Sequence, residues 1–407
     1  MSGRVKGVLL VATLVAASVT VGLLITDSDP IRVGVVYNTT GGMKWLDQPG
    51  LEGVRLAVEE INDSGGVLGR TLEIVAVDGT TDVTKTVDLV ADLAVMDELA
   101  GIIGVNDPIH AMAPIRAALR RADGGLSTFT HSEIALAVGR VTAEAGVPFL
   151  TAGSTLSELS RLIPGLHMVA ADHRAGVEAI ADYALGDLGR ESVFILLDSG
   201  HEYTNDLAES FARRWLEGGG SVAGTGSYSP GDLEISAQIR QLEELAVPPD
   251  VIFIASLPND GGYLVRQLRS AGSSQPILFA DVVDPRYIAA MAGEMDGVHM
   301  STHGALSDPD PDIQEFNDAY ETEYGHAPGS VSALLGYDAM RLLADAMTRA
   351  GSIEMQEVSQ SLADTRAFDA LTGSLSYGSG SGSPVKPITI VIYTDGQALI
   401  AAEIEPS

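Results

Sequence analysis

The chain has 407 residues, 45% of them apolar and 19% charged, with a net charge of −31 and no cysteine. That is the composition of a folded globular protein, long enough for about two or three domains, not of a disordered one. Acidic residues spread along the chain exclude nucleic acid and an anionic membrane surface as partners. The missing thiols exclude disulfides, cysteine nucleophiles, thiolate metal sites and a lipid-bearing cysteine.

Arg4 and Lys6 precede an apolar run, Gly7 to Ile25, followed by Thr26-Asp27-Ser28-Asp29-Pro30. The run is about as long as a bilayer is thick, and its flanks fit export with the N-terminus left inside. Residues 1–30 therefore read as a signal or a membrane anchor. With no small-x-small cleavage site at its far end, the uncleaved anchor is preferred. Everything after Pro30 then lies outside the cytoplasm.

Ile31 to Tyr37 is β-rich, and Asn38 to Gly50 reads as a loop with two adjacent glycines and Trp45. Leu51, Val54, Val58 and Ile61 recur at helical spacing, and Asn62 to Gly66 ends that helix. A strand over Leu72 to Val77, a helix with Val83, Val87, Val90 and Leu93, and a strand over Gly101 to Val105 continue the rhythm of a parallel, doubly wound sheet. Asn106 to Leu126 reads as an insertion carrying an Arg- and Ala-rich amphipathic helix. A further helix opens at Thr130-His131-Ser132, and a strand, Val147 to Leu150, feeds the small-residue turn Thr151-Ala152-Gly153-Ser154-Thr155. Two helix starts with hydroxyls and little bulk offer unpartnered N–H groups to a small anion such as a carboxylate. Asp172 adds a negative charge suited to an ammonium, so the stretch has the two ends a free α-amino acid needs.

After Asp172 the rhythm restarts. The pattern predicts helices over His173 to Leu188, Leu233 to Leu245 and Leu264 to Ala271. Strands are predicted over Ser192 to Leu197, Ser221 to Tyr228, Val251 to Ala255, Pro276 to Ala280 and Val298 to Ser301. Asp198 to Tyr203 reads as a loop leading into another helix. Helices over Pro311 to Tyr324, Val331 to Ala350 and Ile353 to Leu362 follow. The end is antiparallel in character: Gly373 to Tyr377, Ile388 to Tyr393, and Ala398 to Ile404 beyond a hairpin turn at Asp395-Gly396.

The ordered set GLEGVRLAVEEINDSGGVLGRTLEI, Asp78 and Asp82, EAGVPFLTAGST, DHRAG, Asp198 with Tyr203, RQLRSAG and LTGSLSYG…PITIVIYTDG resembles the leucine/isoleucine/valine-binding family over nearly all of Ile31 to Ile404. These are substrate-binding proteins of branched-chain amino-acid ABC importers. The resemblance implies an α/β fold of the type I periplasmic-binding-protein kind. Each of its two lobes would be a mostly parallel doubly wound sheet, joined by three hinge crossings near Ala171, His303 and Ser379. Lobe I would be 31–171 plus 304–378, and lobe II 172–303 plus 379–405. Carried over residue by residue, it implies ligand contacts at Ser132, Gly153, Thr155, Asp172 and Tyr203. It also implies an aromatic pocket wall at Trp45 and a second-lobe acid at Asp281 or Asp284, of which Asp281 is taken. A second-lobe aromatic of the branched-chain binders is replaced here by Leu257.

Taken singly, these residues have plain readings: Ser132 and Thr155 as caps or turn residues, Asp172 as the N-cap of the helix at His173, Tyr203 as packing, Trp45 as a surface anchor. Only their joint spacing favours ligand contact. His299 and His303 stand four apart but have no carboxylate arrangement to make a metal site, Gly65-Gly66 follows a helix rather than opening one, and no nucleophile elbow or phosphate loop stands in the sequence. The expectation is a binding protein without cofactor or metal, not an enzyme. Its partners would be an amino acid, importer membrane subunits and, through the apolar N-terminus, the membrane. The rivals are the same fold with an amide, urea or aromatic acid as cargo, and a sensor ectodomain.

Overall fold

The computed structural model describes residues 29–104, 106, 146–155, 159–160, 165–200, 202–229, 234–257, 260–280, 293–378 and 381–406. The N-terminal apolar run, the insertion after Asn106, Ser132, Asp281, Asp284 and the crossing expected near Ser379 lie outside them.

Two sheets organise the chain. The first holds β1 (Ile31–Tyr37), β2 (Leu72–Asp78), β3 (Leu99–Gly104), β4 (Phe149–Thr151) and β5 (Leu166–Met168) in the order β2-β1-β3-β4-β5, every neighbouring pair parallel. Helices α1 (Lys44–Asp63) and α2 (Val83–Leu93) make the crossovers around β2. After α3 (His173–Gly186), the second sheet begins with β6 (Ser192–Asp198), β7 (Ser221–Tyr228), β8 (Val251–Ala255), β9 (Ile277–Ala280) and β10 (Val298–Thr302). Helices α4 (Glu202–Glu217), α5 (Ser236–Glu243) and α6 (Gly261–Ser270) alternate with these strands, and α7 (Pro311–Tyr324), α8 (Ser332–Ala350) and α9 (Met355–Ala363) follow. A small ribbon, β11 (Ser376–Tyr377) with β12 (Pro384–Val385), leads to β13 (Ile388–Thr394) and β14 (Gln397–Ile404). These two complete the order β14-β13-β10-β9-β8-β6-β7. The last two strands join antiparallel, with Asp395 and Gly396 both at positive φ between them, as the hairpin signal requires.

Strongly apolar segments form where their pattern predicts, and three expectations are corrected. Helix α1 starts at Lys44, so Trp45 stands in its first turn and not in a loop; Pro49 is tolerated inside it. Tyr203 lies in the first turn of α4, not in a loop before it. Strand β5 was not expected, and the strand predicted over Gly373 to Tyr377 keeps only its last two residues.

Helix α8 follows the five parallel strands of the second sheet in sequence, yet it packs across α1 and against β3 and β4 of the first. The crossing is made at backbone distance. A methyl built on Gly53 would stand 2.0 Å from the Ala333 carbonyl oxygen, and one on Gly336 would stand 2.1 Å from that of Gly50. Here the absence of a side chain, not conformational freedom, is what the glycines supply.

The connections between the two halves are laced together. Met168 N–H donates to the Gly382 carbonyl at 2.7 Å, and the Tyr377 hydroxyl donates to the Met168 carbonyl at 2.8 Å. Gly304, at φ 150°, lies against Thr372. The Thr372 hydroxyl donates to Asp338 Oδ2 at 2.7 Å and accepts from the Lys386 ammonium, and all three side chains are buried. Burial holds the Lys386 pKa down at about 8, the charge of Asp338 opposing it.

Replacing Gly336 by Ala should drive α1 and α8 apart and cost about 2–3 kcal/mol in urea unfolding. Gly186→Ala, where an added methyl meets nothing within 4 Å, should cost far less.

Candidate functional site

In an open parallel sheet the carboxyl ends of the strands form the natural crevice. In the first sheet those ends are tied to one buried carboxylate. Asp47, in the first turns of α1, accepts from the Asn38 N–H (2.8 Å) and Asn38 Nδ2 (2.7 Å) just past β1. It also accepts from the Asn106 N–H (3.1 Å) and Asn106 Nδ2 (2.9 Å) just past β3. Asn106 Nδ2 also donates to the Leu46 carbonyl at 3.2 Å. The Asn38 carboxamide oxygen accepts from the Thr81 N–H at 2.8 Å, which adds the loop after β2 to the same network.

That loop is fixed from a second side. Asp78, at the end of β2, accepts from the N–H groups of Thr39 (3.0 Å) and Thr80 (2.9 Å) and from the Thr40 hydroxyl (2.6 Å). Burial pushes its pKa up. The Thr40 hydroxyl and the N–H groups of Thr80, Thr40 and Thr39 outweigh that and hold it below the ordinary carboxylate value. Thr80 and Thr81 both sit at positive φ, 55° and 57°, a costly conformation for β-branched residues that this network sustains. Asp82 then caps α2 by accepting from the Lys85 N–H at 3.0 Å.

The turn 151–155 follows β4. Ser154 N–H donates to the Thr151 hydroxyl at 3.3 Å, and Gly153 lies directly beneath Asn106. Val169 and Ala170 N–H groups donate back to the Thr151 and Ala152 carbonyls, both at 3.0 Å. The Thr155 carbonyl accepts twice from one residue, from the His173 N–H at 2.7 Å and from His173 Nδ1 at 2.9 Å. The other ring nitrogen of His173 faces Asp206 of α4, whose carboxylate also takes Arg174 Nε at 3.2 Å. Both imidazole nitrogens therefore face groups that accept, which calls for a doubly protonated ring. Burial opposes that charge. The Asp206 bond, the Thr155 carbonyl and the charges of Asp206 and Asp172 override it and raise the His173 pKa. The bond from His173 in turn holds Asp206 down at about 2. The Tyr203 ring packs edge-on against His173, with centroids 5.3 Å apart.

Of the residues named from sequence, Gly153, Thr155, Asp172 and Tyr203 converge on this turn and on His173. Trp45 stands one residue before Leu46, whose carbonyl holds Asn106, and its indole N–H is buried without a partner. Asp172 caps α3: Oδ1 accepts from the N–H groups of Arg174 (3.0 Å) and Ala175 (3.1 Å), while Oδ2 accepts from the Ser383 hydroxyl at 3.1 Å. Ser132 and Asp281 lie outside the described residues. Sequence reasoning missed Asp47, Asn106, His173 and Asp206. An asparagine ending the apolar run Leu99 to Val105 was the one available signal. Among the described residues, no group of three or more His, Asp or Glu could hold a metal ion.

The model of the family described as periplasmic binding protein matches residues 30–123 and 125–398. The Leu/Ile/Val-binding protein BraC3 of Rhizobium johnstonii is 25% identical over 97% of this chain and 99% of its own. Among solved structures, the branched-chain amino acid transporter substrate binding protein LivJ from Streptococcus pneumoniae, in complex with isoleucine, aligns at a TM-score of 0.75. It is 21% identical over 93% of this chain and 99% of that one. A solute binding protein of an ABC transporter from R. palustris, in complex with benzoate, aligns at 0.72 with 17% identity, over 93% and 97%. At these identities the structures establish the two-lobed fold, while their cargoes differ.

The His173–Asp206 pair makes a pH prediction. A histidine with a raised folded pKa stabilises fully below its unfolded value, about 6.5, and loses that as pH climbs through the folded one. An aspartate with a lowered pKa stabilises above about 3.9 and loses that as pH falls toward about 2. The coupling energy of a His173→Gln/Asp206→Asn double-mutant cycle should thus peak between about pH 4 and 6.5 and shrink on either side. A coupling flat from pH 3 to 9 would contradict it.

Proposed function

The chain belongs to the periplasmic binding protein family, and on that premise we propose that it is the extracytoplasmic substrate-binding component of an ABC importer, taking a free amino acid with an apolar or branched side chain. The observation that carries this reading is the family match across both sheets, joined to the small-residue turn at the carboxyl end of β4. The named cargoes of BraC3 and LivJ supply the amino-acid class.

In this reading the cargo docks first on the lobe of residues 31–171 plus 304–378. The Ser132 hydroxyl and the Gly153–Thr155 turn take its carboxylate. Closure brings the lobe of 172–303 plus 379–405 over it, with Tyr203 and Asp281 completing a dry pocket and Trp45 lining the side-chain end. Ligand that touches both lobes only when they are shut shifts the population toward the shut form by that difference in affinity. The importer's membrane subunits then read the closed shape. The protein works by binding alone, without chemistry. The apolar run Gly7 to Ile25 exports the chain and holds it at the outer face of the cytoplasmic membrane. Among the described residues, no helix is long and apolar enough to cross a membrane, and residues 1–28 lie outside that set.

One observation favours the rival cargo, a small amide or other organic solute: the Asp172 carboxylate is already engaged by the α3 N-terminus and Ser383. A thermal-shift panel on the full chain separates the two. Leucine, isoleucine or valine should raise the melting temperature with concentration by mass action. Ser132→Ala should weaken that binding by about 2 kcal/mol, roughly 30-fold. A panel in which uncharged amides stabilise and every amino acid is silent overturns the amino-acid assignment.

A further inference from the structure

Two buried polar atoms beside the 151–155 turn have no hydrogen-bond partner: the Asn106 carboxamide oxygen and the Ser154 hydroxyl. Their residues are 3% and 0% exposed. Buried groups of this kind are normally satisfied, so an orphan in a native fold calls for an explanation.

The direction of the Asn106 amide is settled by its neighbours. Its Nδ2 faces Asp47 Oδ1 at 2.9 Å and the Leu46 carbonyl at 3.2 Å, and both only accept. Turning the amide over would set oxygen against oxygen on both sides. The Oδ1 is thereby left over Gly153 as a pure acceptor; a methyl built on that glycine would stand 2.4 Å from it. A carboxamide whose N–H is held by a carboxylate is polarised, which makes its oxygen a stronger acceptor. Ser154, the next residue after Gly153, adds a second buried hydroxyl without a partner that can accept.

We infer that Asn106 Oδ1, with Ser154 Oγ, receives an N–H donor of the cargo, an ammonium or an amide nitrogen, and that Asn106 is a specificity-determining residue that rejects donor-free carboxylates. This rests on the solute-binding reading and narrows its cargo. A site built to accept a donor discriminates strongly against an analogue without one, because its own acceptor then stays buried and unpaired. The benzoate bound by the R. palustris relative carries no such donor. That fold relative and this chain are then separated at the carboxyl end of β3.

The test is calorimetric titration of the full chain with L-leucine, with 4-methylpentanoate (leucine without its amino group), with benzoate and with acetamide. The parent protein, Asn106→Ala and Ser154→Ala are compared. The leucine to 4-methylpentanoate affinity ratio is read within each variant, so that a general loosening of the fold cancels. The parent should prefer leucine by at least about 30-fold. Asn106→Ala should lower that ratio by about 10- to 100-fold, the worth of a hydrogen bond to a charged group. Ser154→Ala removes a hydroxyl without an internal partner, so it should keep the melting temperature and still lower the ratio several-fold. Variants that keep the parent ratio overturn the inference and leave the amino-acid reading standing. So does a parent that takes 4-methylpentanoate or benzoate as tightly as leucine while still binding leucine. Acetamide binding that depends on Asn106, with leucine ignored, overturns the amino-acid reading and supports the inference. A parent that binds none of the four overturns both.

Discussion

The Asp47 carboxylate is the constraint on which the rest of the first half depends. It is fully buried and takes N–H donors from the residues that end β1 and β3, while its own helix carries it into the gap between them. A buried charge is costly unless its hydrogen bonds are met, and here four N–H groups and the start of α1 meet them. Because those donors belong to different strands, the same bonds that satisfy the charge set the strand ends at fixed separations. The cradle is then a rigid edge whose shape does not wait for a ligand.

The second half meets that edge at His173. His173 begins a helix of the second layer, yet both its backbone N–H and its Nδ1 go to the Thr155 carbonyl, while its other nitrogen reaches Asp206. The turn 151–155 and the helix that leads away from it therefore share an ionisable ring. Tyr203, named from sequence as a ligand aromatic, stands against that ring, so its orientation is set from inside the protein.

How much of this could be read in the chain depends on the range of the physics involved. Ile31–Tyr37, Ser221–Tyr228, Val251–Ala255 and Pro311–Tyr324 form where expected because local pattern and caps settle them. Leu166–Met168 was hidden because a three-residue strand centred on a histidine carries no period; His167 is buried there against the Tyr377 ring, two hundred residues on. The start of α1 was hidden because Gly41-Gly42 and Pro49 punctuate it as a loop, whereas Asp47 ties its first turns to Asn38 and Asn106 outside the helix. The pairing of His173 with Asp206 joins two helix starts, and no spacing rule relates them. Of the site residues carried by family spacing, Gly153 and Thr155 share one turn, and Asp172 and Tyr203 stand by His173, which bonds to it. The acceptor at Asn106 has no counterpart in pattern, since its meaning lies in which of its amide atoms Asp47 already uses.

The buried trio of Lys386, Thr372 and Asp338 bears on how such a molecule can move. Burying an ammonium and a carboxylate near one another seldom adds net stability, and the depressed pKa of Lys386 says that dehydration of the ammonium outweighs what the charge of Asp338 returns. What the trio supplies instead is a bearing. Its hydrogen bonds hold the segments of Thr372 and Lys386 to Asp338 of helix α8, beside Gly304. Sliding of the Thr372 and Lys386 segments along α8 would break these bonds and leave buried polar groups without partners.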